Sequence, residues 1–165
     1  MKKLIAYFSP SGNTKAMAEK LAKATGADLF EIKPQTPYTR ADLDWTNKNS
    51  RSSVEMNDKS FRPQIAQLPN SLANYDTIFI GFPIWWYVAP TIINTFVENV
   101  DLDGKKVIPF ATSGGSGMGK TLANLKPSCP GANWVEGKVI CRICSYGILL
   151  IKPLPIGQKN FNLIR

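Results

Sequence analysis

Histidine is absent from this 165-residue chain. That gap removes imidazole as a general acid or base, the Ser-His-Asp type of triad, and the commonest zinc ligand. Cysteine is scarce, with only Cys129, Cys141 and Cys144. An odd number this small, with no export signal, argues against a disulfide framework. Long apolar runs are missing as well. No stretch approaches the ~20 apolar residues that a membrane-spanning helix needs. The opening MKKLIAYFSPSG has five apolar residues between its lysines and Ser9, short of the roughly 7–15 of a secretory signal. The expectation is a cytoplasmic protein that does not enter the membrane. Acidic residues are nearly absent from the second part of the chain. Residues 1–103 hold eleven Lys/Arg and eleven Asp/Glu, whereas residues 104–165 hold nine Lys/Arg and one acid, Glu136, so the net charge of +8 lies wholly in the latter. Those cations stand singly among apolar residues, with no basic cluster interleaved with aromatics, so nucleic acid is not an expected partner.

What is present is enough apolar material, 44% of residues, for one domain with a packed core over residues 1–165. Leu4–Phe8 (LIAYF) is a short apolar run ending in the turn-rich SPSGNT. From Thr14 to Thr25 the apolar residues Met17, Ala18, Leu21 and Ala22 recur with helical spacing before Gly26, a natural stop. Asp28–Ile32 alternates like a strand, and Thr77–Phe82 (TIFIGF) is the near-continuous run of a strand covered on both faces. Pro90 opens a helix with Ile92, Ile93, Phe96, Val97 and Val100 on one face. Lys106–Thr112 reads as a further strand, Gly119–Lys126 as a short helix, and Lys138–Cys144 as the last strand. Strands alternating with helices imply parallel pairing and a doubly wound α/β sheet with helices on both faces. Between Lys33 and Asn74 the chain is polar and proline-punctuated. That is too long for an ordinary connection, so a short helix is expected within it, at Arg40–Thr46, and the segment is expected to lie over a ligand.

Three proposed strands end in conspicuous loops, on the edge where open α/β sheets bind ligands. In the first, hydroxyls of Ser9, Ser11 and Thr14, the Asn13 amide and free N–H groups of a helix start converge, with Gly12 allowing close approach. Such a nest holds a phosphate without a cation. The bland alternative is a Ser/Asn-rich helix cap. The second, Pro83-Ile84-Trp85-Trp86-Tyr87-Val88-Ala89-Pro90, has three consecutive aromatics. Neighbouring side chains cannot all point into a core, so they suit the edge of a flat aromatic ligand, or else packing on a neighbour. The third, Thr112-Ser113-Gly114-Gly115-Ser116-Gly117-Met118-Gly119, exposes backbone polar groups beside which a planar ring can pass. A flat heterocycle carrying one phosphate fits all three, and FMN answers to that description.

The third loop also contains GGSGMGKT, residues 114–121, which satisfies the nucleotide-phosphate pattern G-x-x-x-x-G-K-[ST]. A nucleotide hydrolase of that kind needs an Asp on a later strand to hold Mg²⁺. No Asp follows Asp103, and TIFIGF ends in Gly-Phe-Pro. The match reads as a coincidence of a glycine loop running into a helix.

The motifs Y-F-S-x-S-G-N-T after the first strand, G-F-P-I-W-W with a following A-P after the third, and T-S-G-G-S-G after the fourth resemble the flavodoxin family, in particular its shorter bacterial members with a Trp-Trp pair. The likeness covers roughly residues 1–140. It implies a five-stranded sheet in the order 2-1-3-4-5, non-covalent FMN, and redox chemistry at the flavin. By that resemblance Ser9, Ser11, Gly12, Asn13 and Thr14 hold the FMN phosphate. Pro83, Ile84, Trp85 and Trp86 flank the isoalloxazine, and Thr112, Ser113, Gly114, Gly115 and Gly117 line its other side. Tyr38 and Trp45, in the long connection, are further aromatics that could cover the cofactor, but they match no motif and are not assigned to the site.

The function so implied is an electron carrier between redox partner proteins, a reductase and an acceptor, with no catalytic acid or nucleophile and no metal. The alternative is an NAD(P)H-dependent FMN or quinone reductase of the same fold. The paired tryptophans favour the carrier. The non-acidic surface departs from the usual electron carriers and favours the reductase. No motif fixes an oligomeric state. Asp42, Asp44, Glu55 and Asp58 are too irregularly spaced for a catalytic pair and read as solvated surface. Cys141-x-x-Cys144 falls on a strand, where i and i+3 point to opposite faces, and reads as two buried structural thiols. Residues 145–165, with Pro153 and Pro155 and no helical period, are atypical of the family's ending.

Overall fold

Apolar runs too short for helices but bounded by turn residues pair side by side in the computed structural model, which describes residues 2–141. Strands β1 (Lys2–Tyr7), β2 (Asp28–Glu31), β3 (Tyr75–Pro83) and β4 (Lys106–Ser113) are all parallel. The fifth position is shared by two short strands, β5 (Asn133–Trp134) and β6 (Lys138–Cys141), each parallel to β4. The resulting order is β2-β1-β3-β4-β5, with β6 also on β4. The expected 2-1-3-4-5 sheet is therefore present, with its last strand in two pieces. Cys144 and the atypical segment 145–165 lie outside the described residues.

Alternation along each strand sorts the side chains into two cores. Ile5, Tyr7 and Phe110 meet Ala18 of helix α1 (Asn13–Thr25) on one face, with Met17, Leu21 and Phe79 around them. On the other face Leu4, Ala6, Phe8, Ile78, Ile80, Phe82 and Val107 pack against Ile92, Ile93, Phe96 and Val97. Those four belong to a helix over Thr91–Glu98 and supply most of its buried side, with Thr91 and Asn94 buried beside them. Burying such a side chain stabilises by about 1.5–3 kcal/mol each, so this packing dominates the local free energy. Helices thus cover both faces, as the alternating pattern requires. Among the described residues no helix is long and apolar enough to cross a membrane.

The long connection departs from expectation. Its ends are closed by antiparallel contacts in which Gln35 N–H donates to Gln64 O (2.8 Å) and Ala66 N–H to Lys33 O (2.8 Å). The helix expected at Arg40–Thr46 is a series of turns. There Asp42 Oδ2 accepts from both the backbone and hydroxyl of Thr39 (2.7 and 2.7 Å), and Asp44 Oδ1 does the same for Thr46 (3.0 and 2.6 Å). Side chains that capture nearby amides compete directly with helix formation. The helix forms later, as α2 (Arg51–Asn57), where Ser50 caps the start by accepting from Ser53 N–H (3.3 Å). With α2 placed, the Thr91–Glu98 helix is α3, and α4 spans Thr121–Leu125.

A two-point ion pair anchors the connection to α3. Arg62 donates from Nε to Glu98 Oε2 (2.7 Å) and from an Nη to Oε1 (2.9 Å), while Ser128 Oγ also donates to Oε1 (2.6 Å). These donors hold the Glu98 carboxyl below its usual range, led by the Arg62 hydrogen bond. The Thr39 and Ser60 donors do the same for Asp42 and Asp58. A carboxyl depressed in the folded state contributes stability above its unfolded pKa, about 4, and loses it as pH falls through the folded value. Amide exchange in residues 39–62 is accordingly predicted to lose protection below about pH 4 before β1, β3 and β4 do. Simultaneous loss of protection everywhere would contradict this.

Candidate functional site

The loops after β1, β3 and β4 leave the same edge of the sheet because their strands are neighbours in register. Tyr7 pairs with Gly81, and Pro83 with Thr112. Phe8 N–H donates to Gly81 O (2.8 Å) and Ile84 N–H to Thr112 O (2.9 Å), so each loop starts beside the next.

In the first loop Gly12 caps α1 with φ +81°, a left-handed conformation that suits glycine. Lys15 N–H donates to Ser9 Oγ (2.9 Å) and Ala16 N–H to Gly12 O (3.1 Å). The Asn13 and Thr14 amides are then the first-turn groups for which the helix itself supplies no acceptor. Ser11, Gly12 and Asn13 are exposed, and Asn13 Nδ2 lies 3.3 Å from Ser11 Oγ. Thr14 is buried, and its hydroxyl is 2.8 Å from that of Thr112 at the end of β4. One hydroxyl proton bridges the pair, which leaves the other free to donate. The nest is thus tied directly to the third loop.

The aromatic loop divides its three rings. Trp85 and Val88 exchange backbone hydrogen bonds (3.0 and 3.0 Å), leaving Trp86 and Tyr87 as the central residues of a two-residue turn. Both have positive φ, 44° and 65°, which the tight turn demands and bulky residues rarely adopt. Trp85 points inward, edge-on to Phe8 (5.7 Å between centroids) and to Tyr38 (5.6 Å). Trp86 and Tyr87 are exposed, at 44% and 69%. Pro83 and Ile84 are half-buried beneath them.

The third loop is stiffened from within. Ser113 Oγ accepts from the N–H groups of Gly115 (3.1 Å) and Ser116 (2.7 Å). A Cβ at Gly114, Gly115 or Gly117 would meet no atom within 4 Å, so these glycines border open space. Gly119 differs: its φ is +50° and a Cβ there would run into the Tyr87 carbonyl oxygen. The glycine loop therefore buttresses the aromatic turn.

This geometry disposes of the nucleotide-phosphate motif. Two loop amides are occupied by Ser113, and α4 behind the loop has only five residues. Thr121, whose hydroxyl would have to face a metal, is completely buried. Among the described residues no group of three or more His, Cys, Asp or Glu side chains is placed to hold a metal ion. A groove of about 850 Å³ lined by Lys106, Lys126, Trp134 and Val135 lies at the amino end of β4, away from the three loops.

Residues 9–14, 83–90 and 112–119 contain no charged side chain. A doubly negative phosphate ester placed there would meet no carboxylate of these loops, and a flat ring would lie between aromatic and glycine residues. All fourteen sequence-predicted residues lie on these loops or the strand ends that carry them. Sequence reasoning missed Glu55, which is buried rather than solvated. It also left Tyr38 unassigned, and Tyr38 packs on both Phe8 and Trp85. Trp45, the other aromatic of that connection, is 74% exposed.

Comparison with known proteins agrees with the architecture. Residues 2–149 match the family model described as Flavodoxin. A crystal structure from Bacteroides eggerthii is 55% identical, with TM-score 0.81 and coverage of 84% of this chain and 87% of that one. A Lactobacillus acidophilus flavoprotein solved in complex with FMN is 31% identical, with TM-score 0.62 and coverage of 85% of this chain and 92% of that one. The Escherichia coli protein YcaK, named as an NAD(P)H oxidoreductase, is 29% identical over 98 residues, 59% of this chain. The match spans 45% of that relative's length.

Because Gly119 alone among the described glycines combines positive φ with a blocked Cβ, Gly119→Ala is predicted to destabilise by about 1–3 kcal/mol and to change the near-ultraviolet circular dichroism of the tryptophans. Gly117→Ala, in open space, is predicted to stay within about 0.5 kcal/mol. Equal effects in urea unfolding would show that the two loops are not braced at Gly119.

Proposed function

This chain belongs to the flavodoxin family, and from that premise we propose that it binds FMN non-covalently and carries electrons between redox partner proteins. The observation that carries the reading is the junction of three uncharged loops, tied together by the 2.8 Å contact of Thr14 with Thr112. The Lactobacillus acidophilus relative, in complex with FMN, supports the choice of ligand.

In this reading Ser9, Ser11, Gly12, Asn13 and Thr14 hold the phosphate. Charge-assisted hydrogen bonds from hydroxyls, amides and the helix start replace a basic side chain. Ser9 has a second duty, since its oxygen already fixes Lys15 N–H and so sets the pitch of the first turn. Pro83, Ile84, Trp85 and Trp86 exclude water from one side of the ring. Thr112, Ser113, Gly114, Gly115 and Gly117 present backbone groups to the other, with Ser113 holding the loop in shape. Bound flavin supplies the one- and two-electron chemistry, and the chain supplies binding, orientation and electrostatics. No side chain in the three loops is asked to act as acid, base or nucleophile.

A second reading, an NAD(P)H-dependent FMN or quinone reductase, draws on a different observation. Trp86 and Tyr87 form an exposed, uncharged rim on which a flat second substrate could stack. The name of the Escherichia coli relative points the same way.

One experiment separates the two. Protein saturated with FMN is mixed anaerobically with NADPH, then with a quinone, while the visible spectrum is followed. The carrier is predicted to stay oxidised until a flavoprotein reductase is added. Direct bleaching by NADPH and recovery with quinone would establish the reductase instead. Protein that never takes up FMN would contradict both.

A further inference from the structure

Outside the three loops the structure builds a partly buried charged cluster behind Trp85, with the Glu55 carboxylate buried at its centre. Tyr38, from the long connection, donates its hydroxyl proton to Glu55 Oε2 on α2. Glu55 is 2% exposed and also accepts from Arg51 Nε at 2.7 Å. The Arg51 guanidinium lies 4.0 Å from the centre of the Tyr38 ring and donates to Thr36 O (2.7 Å). Phe8, Tyr38 and Trp85 then form a triangle of edge-on rings with centroids 5.6–5.7 Å apart.

The three rings are held by different means. Phe8 follows directly on β1, is fully buried, and has its backbone bonded to β3. Trp85 follows from the turn after β3. Tyr38 has no strand behind it and is gripped through its polar end and its ring face. Removing an ion pair from water is costly unless every charge is met. Here the carboxylate meets a guanidinium and a phenol, and the guanidinium meets the carboxylate, a carbonyl and a ring face. Burial, then the Glu55 hydrogen bond, pushes the Tyr38 hydroxyl far above its ordinary range, so it remains a donor throughout the physiological range. The arrangement is a permanent clamp.

We infer that Glu55 and Arg51 hold Tyr38 as a positioning residue for Trp85, so that the long connection sets the affinity and redox potential of the flavin from behind the aromatic wall. This rests on the FMN reading of the site. Trp85 can press on a ring only if its own back is supported, and of its two aromatic neighbours Phe8 continues β1 whereas Tyr38 comes from the long connection. The Arg51–Glu55 pair is neutral as a unit, so its effect on the flavin is mainly steric while it is intact. Neutralising Glu55 alone leaves a cation two aromatic layers behind the site.

The test uses the full chain with FMN, comparing wild type with Tyr38→Phe and Glu55→Gln. Three quantities are measured: FMN affinity by fluorescence quenching, midpoint potential by spectroelectrochemistry, and thermal stability of the apoprotein. Tyr38→Phe, which keeps the ring and its contact with Arg51 but loses the hydroxyl bond to Glu55, is expected to weaken FMN roughly three- to tenfold, as for the partial loss of a hydrogen bond to a charged group. Glu55→Gln is expected to do the same and to move the potential positive, because uncancelled positive charge favours the more negative, reduced flavin. The double variant is expected to add little to either single one, since both cut the same linkage. Should wild type bind FMN while both variants keep its affinity within twofold and its potential, losing only thermal stability, the cluster merely scaffolds the connection and the inference fails. If Glu55→Gln does not fold, Tyr38→Phe decides alone. Wild-type protein that does not bind FMN would instead overturn the site reading itself.

Discussion

Two hydroxyl oxygens 98 residues apart in sequence, those of Thr14 and Thr112, sit 2.8 Å from each other, and the geometry of the whole site depends on their meeting. They can meet because β1 and β4 are both parallel to β3 and flank it, so that all three chains turn over at the same edge. Parallel strands require crossovers, and the crossovers here place α1 on one face and α3 on the other. The first turn of α1 is therefore aimed at the space above the strand ends. Two cores, one on each face, keep the strands in the register that this contact needs.

A second constraint is the absence of charge in the three loops. A phosphate there must be met by helix amides and hydroxyls, whose partial charges are fixed by backbone geometry rather than by flexible cationic side chains. That arrangement puts weight on loop shape, and the loops are accordingly braced. Ser9 pins the start of α1, Ser113 pins the glycine loop, and Gly119 stands against the Tyr87 carbonyl. The left-handed backbone of Trp86 and Tyr87 is the strained element that this bracing sustains. Strain of this kind persists only where surrounding structure over-determines it.

How far the sequence could be read depended on whether local pattern and tertiary packing agreed. They agree in β1, β3, β4, α1 and α3, whose apolar spacing and turn residues point one way. The three loops were legible for the same reason, each lying between a clear strand and a helix start. They disagree in the long connection. Helix α2 buries Ser52, Ser53 and Glu55 and exposes Val54, the reverse of an amphipathic pattern, so no hydrophobic period marks it. The segment 40–46 looked helical because its turn-forming carboxylates, Asp42 and Asp44, have no signature distinct from a helix surface. Glu55 carried no sign of burial, because its partners Tyr38 and Arg51 are 17 and 4 residues away and only the fold joins them. The last strand is broken at residues 135–137, and its second half alone carried the apolar pattern.

The central claim is that the neutral nest from Ser9 to Thr14 grips a phosphate, and the most direct measurement compares FMN with riboflavin, which differ by that group alone. Titration of the apoprotein by fluorescence quenching is predicted to give an affinity for FMN about a hundredfold or more above that for riboflavin, as expected for two or more charge-assisted hydrogen bonds. Equal affinities would place the recognition in the ring alone and contradict the account.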